Sequence, residues 1–374
     1  MDDKVTEQLD LGGASGILTI DLGALRRNYQ ALSAMAGAAE IAAVVKADAY
    51  GLGVDHVVPA LFDAGCRSFF VAQLQEATAV KRALAGSDVR IFVLNGLQPG
   101  EEMACVARGA VPVLNSLEQA DNWASVARTL KTRLAAVLQV DTGMSRLGMS
   151  QDDLHALAAG RDRLDGLDLL YVMSHLASAE DGSNASNAAQ LAALREAAVV
   201  FPGVPVCLAN SGGIFLGRDY HGALARPGIA LYGGAPVAGK PNAMQPVVRL
   251  DAAVIQTRTV PAGTRVGYGG SHVTGSERRL ATIAAGYADG LPRALSNRGA
   301  AYFEGIRLPI AGIVSMDSIT LDITDLPPAT LKIGSLVELI GPHQTLEGLA
   351  ADAGTISYEI LTGLGRRYRR IYRY

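Results

Sequence analysis

Residues 41–51 read Ile41-Ala42-Ala43-Val44-Val45-Lys46-Ala47-Asp48-Ala49-Tyr50-Gly51. Five apolar residues without polar alternation, closed by a lysine, suit a strand buried on both faces that ends in a charge. Further short apolar runs follow at 68–72, 89–94, 110–114, 134–140, 167–174, 204–209 and 228–232. Between them lie Ala-rich stretches with helical spacing, at 54–64, 74–84, 116–130, 152–159 and 187–200. Eight such runs, alternating with helices, are the number that closes a (β/α)8 barrel. An open doubly wound sheet is the alternative, and the count favours the barrel.

The rhythm starts after a leading strand at 17–22 and a helix at 23–35, and it changes near residue 240. Residues 239–245 are polar and hold glycine and proline, as a linker would. Beyond them, runs at 247–260, 280–285, 306–314, 318–323 and 336–340 alternate with turns and predict a mainly β domain. The expected division is a barrel domain over 1–240, including the leading strand, and a β domain over 241–374.

Hydrophobic residues make up 49% and charged residues 18%, enough for a sizeable core. The net charge of -3 gives no reason to invoke nucleic acid or an anionic membrane. The basic tail, Arg366 to Arg373, is read as a solvated surface or an intrachain ion-pair partner. The cysteines, Cys66, Cys105 and Cys207, are three and far apart, which fits a reducing compartment and neither a disulfide framework nor a zinc site. The polar start, residues 1–10, shows no signal-peptide pattern, and no run reaches the about 20 apolar residues that cross a bilayer. The expectation is a cytoplasmic protein without a metal.

In a barrel, reactive groups follow the C-terminal ends of the strands. Lys46 ends the first run, Asp141 to Arg146 follow the fifth, Ser174 and His175 end the sixth, and Asn210 and Ser211 follow the seventh. A buried lysine has a lowered pKa, as a Schiff-base lysine needs, unless it snorkels to solvent. Asn210-Ser211-Gly212-Gly213 and Arg226-Pro227-Gly228-Ile229 fall where barrels often cradle a phosphate.

The stretch from Ala43 to Gly51 resembles the pyridoxal-phosphate attachment motif of bacterial alanine racemases. In the same order stand Asp141-Thr142-Gly143-Met144-Ser145-Arg146-Leu147-Gly148, Ala209-Asn210-Ser211, Arg226 to Gly233, Gly286-Tyr287-Ala288-Asp289-Gly290, Met316-Asp317 and Thr355-Ile356-Ser357-Tyr358-Glu359. The resemblance runs from about residue 17 to the C-terminus. It implies a barrel followed by a β domain, pyridoxal 5'-phosphate as cofactor, and a homodimer with shared active sites. Lys46 resembles the Schiff-base lysine and one base; Tyr287, from the partner subunit, resembles the base on the opposite face of the substrate Cα. Tyrosine ordinarily titrates near ~10, so that role requires tuning. His175 resembles the histidine that packs on the cofactor, and Arg226 the arginine on its pyridine nitrogen. Tyr50, Ser211, Gly228, Ile229 and Tyr358 match the phosphate-binding set, and Arg146 and Met316 the substrate-carboxylate set.

The sequence departs from the family pattern around these residues. Gln139 replaces an often carbamylated lysine, so the charge that orients Arg146 is missing. Leu52 and Cys207 replace histidines, and the latter change is expected to remove a partner of Arg226. Ile313 stands for an arginine and Ser315 for a cysteine. The resemblance implies racemisation of alanine and supply of D-alanine. A serine or broad-specificity racemase is the alternative, as is a fold-related decarboxylase, which would lack Tyr287. A non-catalytic carrier on a lone barrel is the reading of another class.

Overall fold

The computed structural model describes residues 11–374; the polar start at 1–10 lies outside the described residues. The chain divides into two compact units, one of residues 22–245 and one of residues 11–21 with 246–374. Its strands are β1 (Gly16–Asp21), β2 (Glu40–Ile41), β3 (Ala43–Val44), β4 (Ser68–Val71), β5 (Arg90–Val93), β6 (Val111–Leu114), β7 (Leu134–Gln139), β8 (Leu167–Met173), β9 (Val206–Cys207) and β10 (Leu224–Ala225). They continue as β11 (Val248–Val260), β12 (Arg265–Val266), β13 (His272–Val273), β14 (Arg278–Ile283), β15 (Ala300–Phe303), β16 (Ile306–Pro309), β17 (Ile319–Asp322), β18 (Leu336–Ile340) and β19 (Arg369–Arg373).

In the first unit β3 to β9 form a parallel sheet in chain order, and β10 pairs in parallel with β2. The ring closes through β10. Ala223 N donates to Val206 O at 2.8 Å on one side, and Ala42 N donates to Ala225 O at 2.9 Å on the other. With β2 and β3 as two halves of one broken strand, this is a (β/α)8 barrel. Its strands are buried on both faces, which is why their sequences do not alternate: β4 and β6 are buried at every position. Phe69, Phe70, Phe92 and Trp123 fill the interior, each removing a large apolar surface from water. Hydrogen-bonding caps start the helices that follow: Ser116 Oγ accepts from Gln119 N, and Ser150 pairs reciprocally with Asp153.

The eighth strand is not the apolar run at 228–232. It is Leu224–Ala225, and Pro227, which has no N–H, stands at its end. The run beyond is buried as a turn, with Leu231 N on Gly228 O and Tyr232 N on Ile229 O. Burial alone made that run look like a strand.

The second unit is mainly β. The 13-residue β11 pairs with β1 and β18 along its first part and with β14 along its second, with a register shift between Val254 and Gln256. The strand expected to lead the barrel domain is therefore part of this sheet: β1 runs antiparallel to β11 and parallel to β19. The boundary falls at 245/246 rather than 240/241, with residues 11–21 on the β side. Partners more than 200 residues away leave no local sign in β1. Two helices, Leu346–Ala353 and Ser357–Gly363, complete the unit.

Candidate active site

Lys46 follows β3, where Val45 N donates to Phe70 O at 2.8 Å. The next four residues, Ala47, Asp48, Ala49 and Tyr50, all hold φ between 54° and 56°. Such left-handed backbone costs a non-glycine residue roughly 1–2 kcal/mol, so four in succession must be held by their surroundings. Ala49 N on Val45 O, Gly51 N on Ala47 O and Val54 N on Asp48 Oδ1 close the turn. Lys46 itself is half-buried. Burial lowers its pKa, the charges of Arg146 and Arg226 lower it further, and Glu76 opposes them.

The turn ends at Tyr50, whose ring stacks on Tyr232 at 4.5 Å between centroids. Tyr232 Oη donates to Val44 O at 2.9 Å, fixing the stack to the lysine strand. A Cβ at Gly228 would lie 2.1 Å from Tyr50 Oη, so the hydroxyl packs where a larger residue would force it to shift. Ser211 Oγ accepts from Gly228 N at 2.9 Å and Ala230 N at 3.2 Å, which leaves its own hydrogen to donate. Asn210 caps the short helix Ser211–Phe215. Tyr50, Ser211 and Gly228 thus lie together, with Ile229 next to Gly228 in the chain.

Arg226 is 2% exposed. Its Nη2 donates to Ser174 O at 2.7 Å and Leu208 O at 3.2 Å, and Nη1 lies 3.5 Å from His175 Nδ1. Nδ1 facing a guanidinium is the acceptor, which puts the ring proton on Nε2. Burial, with Arg226, Arg146 and Lys46 adding repulsion, pushes the His175 pKa well below 6.5. Cys207 does not leave Arg226 without its partner: Arg226 Nε donates to Cys207 Sγ at 3.1 Å.

Arg146 is exposed and follows a loop in which Asp141 Oδ1 accepts from Gly143, Met144 and Ser145 N. Gln139 is buried, and its Nε2 donates to Leu147 O at 3.2 Å, so it braces that loop by a neutral hydrogen bond. Sequence reading missed Gln190. It is buried on the helix Ala185–Ala198, accepts from Ala177 N, and donates to His175 O and Thr142 Oγ1. It joins the loops after β7 and β8; a glutamine on a helix carries no pattern that announces this.

Tyr287, Met316 and Tyr358 lie on the second unit, 44%, 52% and 43% exposed. Tyr287 N donates to Ser315 O and Ala288 N to Met316 O, both at 3.0 Å, which draws Tyr287 and Met316 together. Gly286 is required there, since a Cβ would lie 2.2 Å from Ser315 O. Among the described residues, no group of His, Cys, Asp and Glu is placed to hold a metal ion.

The chain is similar to known proteins along both units. The family model for the alanine racemase N-terminal domain matches residues 20–236, and that for the C-terminal domain matches 247–372. A catabolic alanine racemase of Agrobacterium fabrum is 64% identical over 372 residues, covering 100% of this chain and 96% of that protein. An alanine racemase of Brucella canis is 55% identical, covering 96% and 94%. The crystal structure of the Bartonella henselae alanine racemase with covalently bound pyridoxal phosphate superposes with a TM-score of 0.93 at 46% identity, covering 96% of this chain and 99% of that one. By these matches across both units, the chain belongs to the alanine racemase family.

Proposed function

We propose that the chain interconverts L- and D-alanine, with pyridoxal phosphate carried on Lys46 and with Lys46 and Tyr287 as the two bases. Membership of the family makes the chain an enzyme, an isomerase dependent on pyridoxal phosphate. The residues present suit that group. A depressed-pKa amine, a glycine cradle beside a serine hydroxyl, and a buried guanidinium meet at one end of the barrel.

The cofactor, when bound, supplies a conjugated electron sink for the charge left on Cα as its proton departs. Lys46 Nζ takes or returns that proton on one face, a task that its disfavoured ammonium form assists. Tyr287 Oη, from the partner subunit of a homodimer, serves the other face. Ser211, Tyr50 and the backbone of Gly228 and Ile229 would hold the cofactor's phosphate. A guanidinium has donors and no acceptor, so Arg226 would donate to the ring nitrogen and leave it unprotonated. That would weaken the sink and restrain side reactions. His175 packs beside Arg226. Arg146 would hold the substrate carboxylate together with the backbone of Met316 of the partner subunit. By mirror symmetry neither free enantiomer is favoured, so one chemistry serves both supply and breakdown of D-alanine.

Cys66, Cys105 and Cys207 are free and buried, and among the described residues no helix is long and apolar enough to cross a membrane. The free thiols support a cytoplasmic enzyme. The match of a second domain model over 247–372 favours a racemase over a lone-barrel carrier.

One observation carries the proposal. Lys46, its amine pKa lowered by burial, directly precedes the four-residue turn that ends at Tyr50, which packs against Gly228. Lys46→Ala is expected to abolish both the visible absorbance of bound cofactor and racemisation followed by chiral chromatography. Retained racemisation would overturn the assignment.

A further inference from the structure

The helix Leu74–Ala83 begins with Glu76 in its first turn. A glutamate there ordinarily turns its carboxylate back to the helix start. Glu76 does so with one oxygen: Oε2 accepts from Ala72 N at 2.7 Å and Gln73 N at 3.1 Å. The other oxygen reaches a different strand end, where Oε1 accepts from Ala47 N at 2.6 Å.

Ala47 directly follows Lys46 and is the first of the four left-handed residues. Bonds within the turn serve the amides of Ala49, Gly51 and Gly53. The first N–H of a turn has no carbonyl available inside it. Glu76 supplies that missing acceptor from outside, with a full negative charge, which makes the bond a strong one. It thereby ties the strained turn to the end of β4. It is also the anionic counterweight to Arg146 and Arg226 in their action on the Lys46 amine.

We propose that Glu76 is a positioning residue, whose carboxylate clamps the turn between Lys46 and Tyr50 and so sets the cofactor amine relative to the phosphate cradle. This rests on the roles given above to Lys46 and Tyr50. Glutamine at this position keeps the shape but offers a single acceptor oxygen and no charge, so it cannot bond both strand ends.

The test is Glu76→Gln, alone and combined with Ala47→Gly, in holoenzyme and apoprotein. Hydrogen exchange over residues 46–53 is expected to quicken by about tenfold, with the rest of the barrel unchanged. The dissociation constant for pyridoxal phosphate should rise by about tenfold, and kcat should fall with little change in KM. The pH midpoint of the bound cofactor's absorbance should move down, because an anion that favours the protonated Lys46 nitrogen is gone. Glycine has no left-handed penalty, so Ala47→Gly should restore part of the exchange protection and cofactor affinity. Wild-type exchange over 46–53 with an unmoved midpoint would sink the proposal. So would uniformly faster exchange across the barrel that Ala47→Gly does not recover, since that marks Glu76 as general scaffolding. The exchange result in apoprotein stands even if Lys46→Ala retains activity, so the two failures are distinguishable.

Discussion

Arg367 closes a two-pronged ion pair on Asp289, with Nε and Nη2 at 2.7 and 2.8 Å from a carboxylate that has no solvent exposure. Its remaining amino group reaches Asp317 Oδ1 at 2.5 Å, one residue past Met316. Asp289 Oδ2 also accepts from Gly286 N. One side chain from the basic tail thus braces both segments that present Tyr287 and Met316. Arg367→Ala leaves the Asp289 charge buried without its cation, a severe loss. The expected outcome is a Tm several degrees below wild type, with partial recovery when Asp289→Asn is added to remove the orphaned charge. Additive losses in the double variant, measured by calorimetry, would contradict this.

In the two-base scheme proposed above, Tyr287→Phe removes one base and leaves the other. Single-turnover exchange of the Cα proton into deuterated water should slow by about a hundredfold or more for one alanine enantiomer. The opposite enantiomer should be affected much less. Equal slowing for both argues against two bases on opposite faces.

Gly228→Ala introduces a methyl into the Tyr50 hydroxyl, 2.1 Å away. The obstructing atom ends a side chain, so the barrel should survive with an unchanged circular dichroism spectrum. Tyr50 must shift, and affinity for pyridoxal phosphate should fall by about tenfold or more, a loss of roughly 1.4 kcal/mol or greater. Undiminished affinity in a fluorescence titration would remove Gly228 from the cradle.

His175 gives the stability a pH dependence. Its folded-state pKa lies well below the 6.5 of the free side chain, chiefly through burial. As pH falls through about 6.5, the unfolded chain takes a proton that the folded one refuses, so stability drops. The slope is at most about 1.4 kcal/mol per pH unit. His175→Asn should flatten the decline in stability between about pH 7 and about pH 5, read from denaturant midpoints. Identical slopes in the two proteins would assign the acid sensitivity to other groups.

The barrel was legible because most of its strands are short, mainly apolar runs without strict alternation, and the lysine at 46 stood out because it closes a wholly apolar one. The eighth strand was misplaced because Pro227 splits a short strand from a buried turn, and both are apolar. The site residues that form motifs, such as Lys46 and Ser211, could be read. Those that act by reaching across the fold could not: Glu76 stands 29 residues from Ala47, and Gln190 stands 48 from Thr142. Cys207 looked like a lost partner until the geometry showed its sulfur accepting from Arg226. The membership of β1 was illegible for the same reason, since its pairing is decided by strands near residues 250 and 370.

That pairing orders the birth of the molecule. During synthesis the segment of β1 leaves the ribosome long before β11 and β19 exist, so it must wait, unpaired, while the barrel segment folds behind it. A bare strand edge is prone to stick to its neighbours, and truncating the chain after the barrel would leave that edge permanently open. Expression of residues 22–245, without β1, should therefore yield more soluble product than expression of residues 11–245.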